Sequence, residues 1–255
     1  MRGWLLFPAL MVFSICGFAQ GLTPEMRADI DRRISFQRKW GQANSPGAEL
    51  RAVETHRQSV GKGVSFHAYQ LQAKGLPFDV EYELLMLDTM ASRPGDLQSV
   101  GDVWLDNRDG KVLDSNNSVH QLLIPDPAPG EPYRFAVSAK KGNNHAFITI
   151  LPNPIEGSDH DCKVSVIRLM RNFELAFVQV TGFPRETEIA FRGNSEGEVH
   201  ESKIKTNADG YGDLGILPAK LGKSKGKMEI QFTAPGCAPK VSFKWGKTED
   251  GQVYQ

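Results

Sequence analysis

The side chains of this sequence best suited to chemistry are Cys162 and Cys237, the run Asp159-His160-Asp161, two Asp-Gly turns and six scattered histidines. With one more donor, Asp159-His160-Asp161 could hold a divalent metal. Neighbours on an extended chain point to opposite faces, however, so the run reads as a polar linker. Asp106-Asn107-x-Asp109-Gly110 and Asn207-x-Asp209-Gly210-x-x-Asp213 place oxygen donors on tight turns, as calcium requires. Neither ends in the bidentate Glu of the long calcium loop, and Asp-Gly is itself a strong hairpin signal, so both read as turns. His56, His67, His120, His145, His160 and His200 show no metal-ligand or metalloprotease spacing. Ser195, between Gly193-Asn194 and Glu196-Gly197, lies in a turn and lacks the strand-turn-helix frame of a nucleophile elbow. No Gly-rich phosphate loop is present. No catalytic, cofactor-binding or metal-binding residue is therefore assigned. One enzymatic alternative stays open: an exported hydrolase whose site assembles between two β regions, with His67, His120 and Asp102 as its donors.

The N-terminus carries the pattern from which export is expected. Arg2 gives a positive start, an apolar run follows from Trp4 to Ile15, and Gly17-Phe18-Ala19 places small residues where a signal peptidase reads them. Residues 1–19 are expected to be a signal peptide cleaved after Ala19. The alternative is an uncleaved anchor, but a spanning helix needs about 20 apolar residues and this stretch is shorter and contains Pro8. Phe13-Ser14-Ile15 lacks the small residue that lipidation at Cys16 would need directly ahead of it. No later segment is apolar enough to span a bilayer. Lys+Arg and Asp+Glu both number 30, so no net charge draws the chain to nucleic acid or an anionic membrane. The run from Lys220 to Lys227 reads as a solvated hairpin loop.

Residues 23–40 carry the one helical pattern. Thr23 can cap it, Pro24 suits its first position, and Met26, Ile30, Ile34 and Trp40 form an apolar stripe. The stripe faces the chain's own β core or serves a partner, and the first is favoured. From Glu49 onward, short strands alternate with turns rich in the 25 glycines and 15 prolines. Strands are expected at 49–57, 64–73, 80–87, 100–105, 111–113, 119–124, 133–139 and 146–151. A second series is expected at 162–170, 174–180, 187–192, 199–206, 212–217, 227–233 and 240–245. Residues 153–160, with Asn153-Pro154 and Gly157-Ser158, read as a linker between 48–152 and 161–246, while 20–47 hold the helix and 247–255 form a tail.

The two regions share a skeleton. Gly75-Leu76-Pro77 and Gly182-Phe183-Pro184 each follow a strand. Asn107-x-Asp109-Gly110 and Asn207-x-Asp209-Gly210 each follow a later one, and both regions finish with two strands, one starting near Phe135 and Phe232 respectively. Self-similarity over the length of a sandwich domain suggests two copies of one architecture. The run Gly182-Phe183-Pro184-Arg185-Glu186-Thr187-Glu188-Ile189, then Thr206-Asn207-Ala208-Asp209-Gly210-Tyr211 and Pro218, resembles the Ig-like and fibronectin-III-like modules of bacterial secreted and surface proteins. The resemblance covers 160–246 well and 48–152 loosely, where the longer loop at 89–99 departs from the pattern. It implies a spacer, adhesion or binding role without catalytic residues.

The expected fold is therefore all-β: two tandem immunoglobulin-like sandwiches preceded by a signal peptide and one amphipathic helix. Cys162 and Cys237, the two cysteines left after cleavage in an oxidising compartment, are expected to form a disulfide. Cys162 opens the first strand of the second series and Cys237 precedes the last, and these strands can lie side by side in parallel with their starts together. The function class that fits is a non-catalytic binding or structural module of the periplasm or cell surface. It needs no cofactor, and its partner is an extracytoplasmic protein or glycan.

Overall fold

The computed structural model describes residues 22–40, 44–59, 65–87, 97–125, 127–170 and 174–246. Residues 1–21 and 247–255, which hold the expected signal peptide and tail, lie outside these residues.

Among the described residues one helix, α1 (Pro24–Trp40), precedes sixteen strands. β1 (Glu49–Ser59), β2 (Ser65–Lys74) and β6 (Gln121–Pro125) form one sheet in that order. β5 (Val112–Leu113), β4 (Leu97–Leu105), β3 (Tyr82–Leu87), β7 (Tyr133–Ala139) and β8 (His145–Ile150) form the sheet facing it. Further along the chain, β14 (Gly212–Ile216), β11 (Ala176–Thr181), β10 (Cys162–Arg168) and β9 (Ile155–Asp159) make a third sheet. The fourth is β13 (Glu198–Lys205), β12 (Glu188–Ser195), β15 (Lys225–Thr233) and β16 (Lys240–Gly246). Strands alternate core-facing and outward residues, so each pair of sheets encloses one apolar layer. Leu71, Tyr82, Leu84, Val112 and Val137 fill the first, and Val166, Val178, Phe191, Phe232 and Trp245 the second.

The two sheet pairs have one topology. β1-β2-β6 opposite β4-β3-β7-β8 corresponds strand for strand to β10-β11-β14 opposite β13-β12-β15-β16. The first pair adds β5 beside β4, and the second adds β9 beside β10. The shared Gly-x-Pro signals sit at equivalent corners. Gly75 has φ +73° and Gly182 φ +72°, and a Cβ on either would strike the backbone leading into β1 or β10, at Gly47 and Asp161 respectively. Leu76 and Phe183 drop into their cores behind these corners. Tyr82 Oη donates to Pro77 O (2.7 Å), and Thr206 Oγ1 donates to Pro184 O (2.6 Å).

Three details differ from the sequence reading. The stretch read as a linker holds β9, which pairs antiparallel with β10 from Ile155↔Val166 to Asp159↔Cys162. Glycine and serine at 157–158 do not break it, because Gly157 is where the β16 backbone at Lys240 approaches too closely for a side chain. Phe232 falls near the end of β15, not its start. On α1 the buried residues are Ile30, Ile34, Gln37 and Trp40, while Met26, in the first turns, is 51% exposed.

α1 lies on both sheet pairs. Ile30 and Ile34 pack on Ile167, Leu169, Leu175 and Phe177, the outer face of the third sheet. Gly215 on β14 leaves the space that Ile34 Cδ1 fills. Phe36 and Trp40 pack on Leu85, Leu87, Ala136 and Phe147 of the five-stranded sheet, and Trp40 Nε1 donates to Ile148 O (3.0 Å). Arg38 Nε donates to Asp213 Oδ1 (2.6 Å). Arg134, only 1% exposed, donates to Gln37 Oε1 and sits 5.7 Å from the Phe36 ring centroid. Burial pushes this guanidinium down to about 9. Among the described residues no helix is long and apolar enough to cross a membrane.

Candidate binding surface

The outer face of β12, β15 and β16 follows from strand alternation. Phe191, Ile230, Phe232, Val241 and Phe243 point into the core, so the residues between them point out. Register then sets six polar side chains in two rows across three strands. Arg192 is opposite Gln231, and Gln231 opposite Lys240. Asn194 is opposite Glu229, and Glu229 opposite Ser242. These six line an open groove of about 450 Å³ together with the backbone of Ile230 and Val241. Glu229 is held below its ordinary carboxylate value by the hydrogen bond from Lys227 Nζ (2.7 Å). Asn194 Oδ1 accepts the Gly197 N–H (3.0 Å), which fixes its orientation. The groove thus presents both charges and neutral amide and hydroxyl groups, and none of its lining side chains is aromatic.

A second depression surrounds the cysteines, lined by His160, Phe183, Pro184, Arg185, Pro235 and Gly236 among others. Cys162 and Cys237 are disulfide-bonded, with Cα atoms 6.2 Å apart. The bridge joins the two facing sheets at one end of their sandwich, since β10 and β16 belong to different sheets. Beside it, Asp159 Oδ2 accepts the Ala238 N–H (2.6 Å) and Asp159 Oδ1 lies 2.9 Å from His160 Nδ1. The Ala238 bond holds the Asp159 carboxyl below its ordinary value. Asp159 therefore pins the turn that carries Cys237.

The other candidates have local duties. Asp106 accepts the Arg108 N–H and Asp109 the Lys111 N–H. Asn207 accepts the Asp209 and Tyr211 N–H groups, and Asp213 accepts from Arg38 and Tyr211 Oη. These oxygens close Asx turns and the α1 contact. Ser195 is fully buried, donating to Pro218 O (2.6 Å) and accepting from Trp245 Nε1 (3.0 Å). His67, on β2, is buried with Nδ1 3.2 Å from Glu54. Asp102, on β4 of the facing sheet, is bound to Lys140 (2.7 Å). His120 is pushed down by burial, with Asp114 opposing. Among the described residues no hydrogen bond joins His67, His120 and Asp102 to one another. Among the described residues no cluster of three or more His, Cys, Asp or Glu could hold a metal ion.

The sequence reading passed over the groove residues and the buried Arg134. Alternation along the strands expected at 187–192, 227–233 and 240–245 marks alternate side chains as outward-facing, but not which strands would be neighbours, and Asn194 falls in the stretch read as a turn, which β12 extends through.

No protein-family model matches the chain, and no curated protein does. Among solved structures, a red sea bream transglutaminase is 12% identical over 79% of this chain at a TM-score of 0.23, and the chain spans 31% of its length. The human OSCAR ligand-binding domain is 16% identical, covering 80% of this chain and 99% of its own at a TM-score of 0.21. The serine-rich repeat protein Srr2 of Streptococcus agalactiae is 9% identical, covering 82% of this chain and 96% of its own at a TM-score of 0.19.

Proposed function

We propose that this chain is an exported, non-catalytic binding module that recognises an extracytoplasmic protein or glycan through the outer face of β12, β15 and β16. The observation that carries the reading is the two-row set Arg192-Gln231-Lys240 and Asn194-Glu229-Ser242, six polar side chains without an engaged nucleophile-base pair. Such a surface is rigid because each residue stands on a strand, which lowers the ordering cost of binding. The disulfide suits an oxidising compartment and so supports export. On this reading residues 1–19 are removed, 20–47 carry the helix that straps the module, and 48–152 and 161–246 are its two domains. β9 is added to the second domain across the segment at 153–160.

The test uses the mature chain, residues 20–255. It is applied to a glycan array and a panel of purified extracytoplasmic proteins, and in parallel to ester, peptide and glycoside substrates. Saturable binding without turnover is expected. Turnover of any substrate class, lost on His67→Ala or Asp102→Ala, would instead establish the hydrolase.

A further inference from the structure

We propose that β13 is a self-association edge: two copies of this chain pair their β13 strands antiparallel about Ser202 and join their fourth sheets into one eight-stranded sheet. β13 is the end strand of its sheet, paired on one side with β12 in unbroken register over eight residues, from Glu198 to Lys205. It contains no proline. Such an edge offers a row of backbone donors and acceptors to another strand.

The charge pattern selects the partner and the register. On β13, Ser202 and Ile204 stand opposite Phe191 and Ile189 on the core side, so Val199, Glu201 and Lys203 lie on the outer face. The side chains of Glu201 and Lys203 are 70% and 68% exposed, and Val199 is 46% exposed. An antiparallel two-fold pairing keeps outer face beside outer face, so directly opposed residues must share a face. Centred on Ser202, Glu201 of one copy stands opposite Lys203 of the other, twice by symmetry, and His200 stands opposite Ile204. Moving the centre one residue back opposes Glu201 to Glu201, and one residue forward opposes Lys203 to Lys203. Like charges directly opposite disfavour both of those registers. Charged side chains, a proline or a bulge ordinarily guard an edge against pairing, unless the charges of the incoming strand complement them. This edge has opposite signs placed symmetrically about a small residue. Each charge is also backed on its own sheet, Glu201 by Arg192 (3.6 Å) and Lys203 by Glu188 (3.4 Å), so pairing creates an alternating row across the junction. The two binding grooves would then face the same side of the joined sheet, a bivalent arrangement.

Sedimentation velocity on the mature chain between about 1 µM and 1 mM tests this, a span in which an edge-strand dimer dissociates measurably. A concentration-dependent dimer is expected for the wild type. Glu201→Lys sets like charges opposite at both symmetric positions and should weaken the dimer by at least about tenfold. The swap Glu201→Lys/Lys203→Glu restores opposite charges across the junction, although each new side chain then meets a like charge, Arg192 or Glu188, on its own sheet, so it should recover most but not all of the affinity lost in Glu201→Lys. A wild type that stays monomeric throughout, a dimer indifferent to Glu201→Lys, or a swap that fails to restore pairing would each overturn the proposal.

Discussion

Replacing Gly182 by alanine should cost the second sheet pair far more stability than its loss of conformational freedom explains. Gly182 sits at φ +72°, a conformation that costs an L-residue about 1–2 kcal/mol. An added Cβ would also lie 2.9 Å from the carbonyl carbon of Asp161, well short of the roughly 3.5–4.0 Å of ordinary carbon contact. The obstacle is backbone, next to the disulfide at Cys162, so it cannot swing away as a side chain would. Together the two effects should exceed about 3 kcal/mol, in the tail of single-substitution effects. Gly197 is the control in the same sheet pair. It has φ +82° with open space around it, so Gly197→Ala should cost only the conformational part. The same contrast should appear in the first sheet pair between Gly75→Ala, with Gly47 carbonyl carbon 2.8 Å away, and Gly142→Ala at φ +87° in the open. Urea unfolding gives the magnitudes, and hydrogen exchange shows which strands loosen. Equal losses for Gly182→Ala and Gly197→Ala would refute the reasoning, and with it the equivalence of the two Gly-x-Pro corners.

Three further outcomes follow from the same geometry. The disulfide closes a loop of 75 residues, so chain-entropy arithmetic allows at most about 4.5 kcal/mol; reductant should lower the melting point of the second sheet pair, and a melt unchanged by reductant would contradict the clamp. Asp159 is held below its ordinary value of 3.8 by the Ala238 N–H, so its contribution is present above that value and lost as pH falls through the lower folded value. Asp159→Asn should therefore flatten the acid limb of the stability curve below about pH 4, and identical acid limbs would refute the assignment. Ile34→Ala on α1 removes a buried side chain lodged over Gly215 and should cost about 2–4 kcal/mol by urea unfolding, whereas a loss under about 0.5 kcal/mol would mean that the helix is not packed there.

Much of the fold was legible because local chemistry and tertiary need agree in it. Gly-x-Pro and Asp-Gly mark corners where only glycine fits the backbone, and the strand series between them appears nearly as the alternation predicts. β9 was missed because Asn153-Pro154 and Gly157-Ser158 carry turn residues, while the demand for glycine at 157 comes from β16, more than eighty residues away in sequence. The disulfide was expected from strands lying alongside one another; the structure has those strands in facing sheets, with the cysteines at a shared end. For α1, the stripe gave a buried face, but its docking on two sheet pairs rests on Gln37, Arg38 and Trp40 meeting Arg134, Asp213 and Ile148. The groove was illegible for a related reason. Its rows exist only through cross-strand register, and Arg192, Gln231 and Lys240 look like ordinary solvent-facing residues along the chain. The signal peptide expected at 1–19, with cleavage after Ala19, lies outside the described residues.

The most direct test is the affinity of the mature chain, by titration calorimetry, for the ligand retained in the array or protein panel. It is measured for wild type and for Arg192→Ala/Lys240→Ala. Both side chains are outward-facing ends of one row of the groove, so their loss should leave the melting point unchanged and weaken binding by about tenfold or more. Binding undiminished in the double variant would contradict the claim that this face carries the function.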